Sequence, residues 1–454
     1  MKAVCPKFAF SSKWFLFVPV TLYFVLSFVY LFAIPIGESP DEPGHLQCIE
    51  QVARYNRIPI TQPEPEGDEW WERGRIVSGQ MCYHMPFYYL VGGTLQRSLA
   101  WVAAEPLPVE LPPNNPEWGV QAGMFAHSDK SSFLTIPEPV TLIGLRLLSM
   151  GLGAVTLWAT YVVARQIFPA QEAVAVMAAT IVAGWPQFLY MSRAINNDVP
   201  ATALAVATLA VLLQAGRPNR FIIAAALAGL AVFTKLSMSF TVGVVCVAWL
   251  LELLRQRQPR WPYIRAMLIC IALWTGEALL LWLHPTLRLH VQQSALSFAA
   301  IPAAAWTGSY WGDVFLLTLS SGWARLGWMN LPAPVWHAYI WWAGIGLTTA
   351  SGVYLALRQQ SASRQRLLLL IVAAWWAGVA VAYVRINFNR FQPQFRFALA
   401  VLPLLATFSA AGCLSWLTEK PRWQVGAILL LSLVLVGYNL WFVFTVVGPA
   451  YGWY

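Results

Sequence analysis

The sequence predicts an all-α polytopic membrane protein with about eleven transmembrane helices and a large, partly helical first external loop. Three observations predict it. Of the 454 residues, 58% are hydrophobic and only 11% are charged, against about 25% charged in an average soluble domain. A water-soluble chain of this composition would expose apolar patches it could not cover. Apolar runs long enough for the ~30 Å hydrocarbon core recur along the whole chain. Its 24 tryptophans fit the enrichment of Trp where rings sit at the membrane–water boundary.

The first run, 14–36, follows Lys2, Lys7 and Lys13. It is too long for a signal-peptide core and has no small-x-small cleavage site, so residues 1–36 read as a first membrane helix starting in the cytoplasm. Residues 37–139 form an external loop domain holding fourteen of the twenty acidic residues. Turn chemistry at Pro63–Gly67 and Pro112–Pro116 punctuates it. The segment is too long for a simple connector, and the amphipathic pieces 41–57 and 86–104 argue for order. The piece 86–104, with Gly92, Gly93 and Arg97, reads as a helix lying on the membrane surface, a twelfth span being the alternative. Cys48 and Cys82 share this loop, and whether they are bridged stays open. Cys5, Cys246, Cys270 and Cys413 read as small apolar packing residues.

Spans two to seven occupy 140–164, 171–191, 199–216, 220–236, 238–254 and 264–284. A second external loop, 285–334, is aromatic, with Trp306, Tyr310, Trp311, Trp323 and Trp328. Four final spans, at 335–357, 367–384, 397–417 and 424–447, fill 335–454. Charge tests this order. The loops assigned to the cytoplasm collect Lys2, Lys7, Lys13, Arg165, Arg217, Arg220, Arg255, Arg257, Arg260, Arg265, Arg358, Arg364, Arg366, Lys420 and Arg422, against Glu172, Glu252 and Glu419. That excess obeys the positive-inside rule. Making 86–104 a span would invert every later loop. The net charge of +9 is spread over these short loops and forms no dense stripe, which excludes a nucleic-acid partner.

The first helix ends in Gly37-Glu38-Ser39-Pro40-Asp41-Glu42-Pro43-Gly44-His45. A carboxylate just outside the membrane can take a proton from a hydroxyl nucleophile, so Asp41 is the candidate base, with Glu42 beside it in the catalytic group. The bland alternative is that Asp41 or Ser39 caps the following helix. Asp41 and His45 share a helical face as metal ligands would. Nothing completes a ligand set, so no metal site is assigned and a divalent metal requirement stays open. In Ser192-Arg193-Ala194-Ile195-Asn196-Asn197-Asp198-Val199-Pro200, Asp198 is either a helix cap or a second acid facing the cleft of Asp41. The external or membrane-edge cations are Arg193, Lys235, Arg325, Arg385, Arg390 and Arg396. Singly each reads as a snorkelling side chain; together, near acidic groups, they suit a phosphate. No GxxxxGK[ST], GxGxxG or HExxH motif occurs, so nucleotide-driven transport and zinc proteolysis lose their main supports.

The segment Asp41–Pro59, with Asn56-Arg57-Ile58-Pro59 after a helix, resembles the first-loop motif of GT-C fold glycosyltransferases. These include protein O-mannosyltransferases and lipid A aminoarabinose transferases, and the likeness is nearest to a bacterial subgroup. Tyr83-His84-Met85-Pro86-Phe87-Tyr88-Tyr89 resembles a His-x-Pro-x-Tyr-Tyr segment of that set, and Arg193 to Asp198 its second acidic motif. Lys235-Leu236-Ser237 resembles a Lys-Leu-Thr step. Ser321-Gly322-Trp323-Ala324-Arg325-Leu326-Gly327-Trp328-Met329 resembles a Trp-x-x-x-Gly-Trp segment, and Gln394-Phe395-Arg396-Phe397 a Gln-Gly-Arg-Tyr entry to a late helix. Met85 replaces a usual proline and Phe395 a usual glycine, which puts the backbone at Arg396 in question.

The resemblance implies inverting sugar transfer from a polyprenyl-phosphate donor to a lipid, glycan or protein acceptor on the outer face of a bacterial inner membrane. Asp41 would deprotonate the acceptor, and Arg396 and Lys235, then His84, Arg193 and Arg325, would hold the donor. No cofactor is implied. The rival classes are a transporter or flippase of lipid-linked sugars, a polysaccharide polymerase or ligase, and a scaffold without chemistry. A transporter would carry repeats and midplane polar groups, whereas polar residues here cluster outside, Glu277 excepted.

Overall fold

The structure, a computed structural model, describes residues 16–60, 80–109, 111–113, 115–117, 119, 122–127, 139–214, 216, 218–255, 260–296, 301–358, 363–417 and 420–452. The turn expected at Pro63–Gly67 lies outside these residues, as do Lys2, Lys7, Lys13, Cys5, Arg217, Arg257 and Glu419.

Every expected apolar run contains a helix among the described residues. α1 (Phe17–Ala33) leads to α2 (Glu42–Tyr55) and α3 (Phe87–Ala103) in the first loop. The bundle continues with α4 (Val140–Ile167), α5 (Glu172–Ala183), α6 (Pro186–Arg193), α7 (Asp198–Leu212), α8 (Arg220–Thr234), α9 (Phe240–Arg255) and α10 (Trp261–Leu283). After α11 (Pro285–Leu296) and α12 (Gly308–Trp323) come a two-residue antiparallel hairpin, β1 (Arg325–Leu326) and β2 (Leu331–Pro332), then α13 (Val335–Arg358), α14 (Ser363–Asn389), α15 (Leu402–Leu414) and α16 (Pro421–Phe442). Among the described residues, seven helices are long and apolar enough to cross a membrane, or eight if the bent pair α5–α6 is one span. α1, α7 and α8 are shorter apolar helices. The eleven expected spans are thus eleven helical segments, of which seven or eight meet that measure. α3 is not one of them; it packs on α2 and α4 and leaves Trp101 and Val102 exposed.

This is a multi-pass membrane protein. Leu268, Ile271, Trp282 and Leu283 of α10 are exposed, as are Leu347 of α13 and Leu433 of α16, an apolar outer surface that a bilayer covers. The core holds together by close helix approach. A Cβ added to Gly352 would lie 1.9 Å from the Phe408 carbonyl oxygen, and one added to Gly412 2.0 Å from that of Thr348. α13 and α15 therefore meet backbone to backbone, as small residues allow in membranes.

The breaks matter more for function than the spans. Pro186 cannot continue α5, and α5 and α6 meet at 63°. The Gly184 carbonyl this frees accepts from Asn439 Nδ2 at 2.9 Å, and Asn439 Oδ1 accepts from Tyr30 at 2.7 Å, the re-satisfaction such a break requires in lipid. α6 then carries Tyr190 and Arg193 to the end of α1, where Tyr190 donates to the Glu38 carbonyl at 2.8 Å.

The described parts of the two long loop segments pack on each other. Cys48 and Cys82 are disulfide-bonded, tying α2 to the turn before His84. His290 Nε2 lies 2.9 Å from the Pro59 carbonyl oxygen, and Trp328 donates to the Gly37 carbonyl at 3.0 Å. The second segment is largely helical, in α11 and α12. Of the unbridged cysteines, Cys270 is buried as expected, whereas Cys246 and Cys413 are exposed on the outer surface of the bundle.

Candidate active site

Asp41 sits where α1 gives way to α2. Its φ of 64° is in the left-handed region, which Asp tolerates better than most side chains. It holds the N-cap position of α2 without capping it, since its side chain accepts no bond from that helix. The carboxylate turns instead to Arg396, whose Nη2 lies 2.6 Å from Oδ2. The capping reading of Asp41 therefore fails.

Asp198 behaves the same way. The cap of α7 is Asn196, whose Oδ1 accepts from the backbone of Asp198 at 2.8 Å and of Val199 at 3.2 Å. The freed Asp198 carboxylate pairs with Lys235 and lies 3.6 Å from Arg396 Nη1. Lys235 and Arg396 both face the ring of Phe397, at 4.7 and 4.9 Å from its centroid. The result is a chain of alternating charge, Asp41–Arg396–Asp198–Lys235, drawn from four separate parts of the sequence. Only Asp41 opens outward: its side chain is 28% exposed, against 2% for Asp198, 4% for Arg396 and 9% for Lys235.

Helix ends make this possible. Lys235 terminates α8 in an extended conformation before the short 3₁₀ turn Leu236–Ser239. Arg396 lies in the 3₁₀ segment Phe395–Val401 ahead of α15. The question raised by Phe395 has a steric answer: its amide donates to Ser321 Oγ at 3.0 Å, and its ring packs against Trp342 and over Gly322, where a Cβ would lie 3.2 Å from it.

His84 stands at the edge of the same cluster, its ring stacked on His45 at 5.8 Å and tilted against Tyr83 at 4.3 Å. Burial, then the neighbouring His45 and Lys235, hold His84 well below the ordinary histidine range. Burial likewise brings His45 down to about 4; its Nδ1 lies 2.8 Å from the Tyr89 hydroxyl. Both rings are neutral at pH 7. For Asp41, burial pushes the pKa up, but the Arg396 guanidinium beside it outweighs this and holds the carboxyl below its usual range.

Three expected site residues lie elsewhere. Glu42 is fully buried and faces inward, away from Asp41. Its carboxylate takes Arg146 at 3.2 and 3.3 Å, the amides of Gly37 and Ile195 at 3.1 and 3.0 Å, and Arg193 at 4.0 Å. Arg193, also buried, donates to Ser39 Oγ at 2.6 Å and the Ile34 carbonyl at 3.3 Å. Arg325 bonds the Met329 carbonyl at 2.6 Å within its own hairpin. Sequence reasoning missed Arg146 and Asn196. The signal for Arg146 was a charge inside an apolar run, which marks function or a buried partner; for Asn196 it was a capping side chain two residues before a helix start. Among the described residues no three His, Cys, Asp or Glu side chains converge as metal ligands.

A family model described as dolichyl-phosphate-mannose-protein mannosyltransferase matches residues 134–278, which include Asp198 and Lys235. Among solved structures, ArnT from Cupriavidus metallidurans bound to undecaprenyl phosphate superposes with a TM-score of 0.51 at 13% identity, over 98% of this chain and 75% of that one. The chain has the GT-C fold. Apo ArnT matches equally, with a TM-score of 0.51 at 13% identity over 97% of this chain and 74% of that one. The archaeal oligosaccharyltransferase AglB from Archaeoglobus fulgidus, in complex with an inhibitory peptide and a dolichol-phosphate, gives a TM-score of 0.49 at 13% identity, over 95% of this chain. The GT-C chain described here spans 55% of that AglB chain. No curated protein matches the sequence.

Proposed function

We propose that this GT-C chain is a membrane glycosyltransferase that moves a sugar from a polyprenyl-phosphate donor to an acceptor at the end of the bundle where α1 exits. The observation that carries the proposal is a single partly open carboxylate, Asp41, in contact with the buried Arg396, with Lys235 two contacts further on. The donor class is supported by the undecaprenyl phosphate bound to ArnT and by the description of the matching family model.

In the proposed reaction the acceptor oxygen attacks the anomeric carbon as its proton passes to Asp41. The bond from that carbon to the phosphate oxygen breaks with its electron pair, and the sugar inverts in this single displacement. Phosphate is a good leaving group, so stabilising its charge suffices. Arg396 and Lys235 supply that stabilisation. Pairing with Arg396 makes Asp41 a weak base in the free protein; a donor phosphate competes for Arg396 and returns basicity to Asp41. His84 contributes a neutral hydrogen-bonding ring beside the sugar. Glu42, Arg193 and Arg325 are assigned no step in the chemistry, because their side chains bond Arg146, Ser39 and the Met329 carbonyl and not the Asp41 cluster. The membrane is the inner membrane of a bacterium, and the reaction is on its outer face.

The test uses membranes from cells lacking the protein, in which the lipid-linked sugar it consumes should accumulate and so identify itself. Restoring the wild-type chain should clear that species. Restoring Asp41→Asn, inserted at the same level, should lower transfer by about 10²–10⁴-fold, the usual worth of a general base. Clearance at the wild-type rate by the variant would remove Asp41 from the chemistry.

A further inference from the structure

The opposite end of the bundle carries a second polar site. α8 separates the two: Lys235 closes it at the Asp41 cluster and Arg220 begins it at the far end, ~22 Å away at 1.5 Å per residue. There, a cavity of about 130 Å³ is enclosed by the ends of α7, α8, α9, α10 and α14. Three guanidinium groups, Arg220, Arg255 and Arg364, meet in it with one carboxylate, Glu252.

Glu252 lies 3.1 Å from Arg220 and 3.8 Å from Arg255, while Arg364 donates to the amide oxygen of Gln166 at 3.1 Å. Three positive charges and one negative leave an excess of two in the lining. Arg220 is only 10% exposed; its Nη1 donates to the Gln214 carbonyl and its Nη2 to Glu252, but its Nε has no hydrogen-bond partner among the described residues. A buried guanidinium with an unmet N–H is costly unless something accepts from it. α8, α10 and α14 begin at this end while α7 and α9 finish there, so the helix dipoles largely cancel and the positive field comes from the guanidinium groups. The floor is aliphatic, formed by Leu367, Leu368 and Ile371.

Guanidinium groups grip phosphate through paired N–H bonds, and basic pockets between membrane helices hold anionic head groups. We propose that this cavity is a second, non-catalytic phosphate-binding site, filled by the head-group phosphate of an acidic phospholipid or by a free phosphate ion. It does not depend on the sugar-transfer reading, since it shares no residue with the Asp41 cluster.

The experiment uses the full chain in phosphatidylcholine nanodiscs, read by thermal unfolding and by native mass spectrometry of retained lipid. One arm adds phosphatidylglycerol to the discs and the other adds inorganic phosphate. Arg255→Gln and Arg364→Gln leave the Arg220–Glu252 pair intact and so preserve the fold. Stabilisation of the wild type that needs about tenfold more ligand in both variants supports the proposal, and the arm in which it appears names the source. No stabilisation by either ligand, or equal stabilisation of wild type and variants, overturns it.

Discussion

Asp41 and Glu42 are adjacent carboxylates with different fates. Asp41 faces a partly open cleft, whereas Glu42 is sealed against Arg146 and Arg193. Removing one partner of a buried ion pair leaves an uncompensated charge and costs roughly 3–5 kcal/mol. Glu42→Gln is therefore expected to lower the unfolding temperature markedly, while Asp41→Asn, which touches a part-exposed pair, lowers it little. Thermal unfolding of the two purified variants in detergent makes the comparison, and equal stability would contradict the structural role of Glu42. Nothing in the residue order distinguishes the two acids. The left-handed backbone at Asp41 sets their directions, and that depends on the packing of loop 34–42 against α6.

At the scale of elements, the site is built from interruptions. Asp41, Asp198, Lys235 and Arg396 each lie where one helix ends or another begins. In lipid only such breaks bring polar side chains and free backbone groups to the same depth. The sequence marked some of these breaks, through Pro40, Pro200 and the charge at Lys235, and Asn196, two residues before α7, is the capping side chain that relieves Asp198. Holding the breaks in register requires the uninterrupted helices to pack closely. Gly352→Ala or Gly412→Ala would drive a methyl group into a facing carbonyl, and overpacking of this kind costs about 1–3 kcal/mol. The expected result is lower thermal stability, measured by fluorescence-detected size exclusion after heating. Gly426→Ala, where an added Cβ meets nothing within 4 Å, serves as the unaffected control.

For the whole molecule, the distribution of charge sets orientation. If the acidic first loop is external and the Arg-rich turns cytoplasmic, the Asp41 cluster and the Arg220 cavity face opposite sides of the membrane. A cysteine introduced at Ser98 on exposed α3 should then react with an impermeant maleimide in intact cells. One introduced at Arg422 should react only after permeabilisation. Labelling of both from the same side would refute this topology, and with it the outer-face reaction.

By itself the sequence determined the solvent. With so little charge and so many long apolar runs, only a helical membrane bundle satisfies the backbone, and the motifs from Asp41 to Arg396 gave the order in which polar segments return to one end. Only the tertiary structure decided which charges meet. Asp41 and Arg396 are separated by 355 residues, and the choice of Asp41 over Glu42, or of Arg396 over Arg193, rests on contacts made by distant helices. Such pairings follow from the geometry of packing, which composition and spacing along the chain do not encode locally.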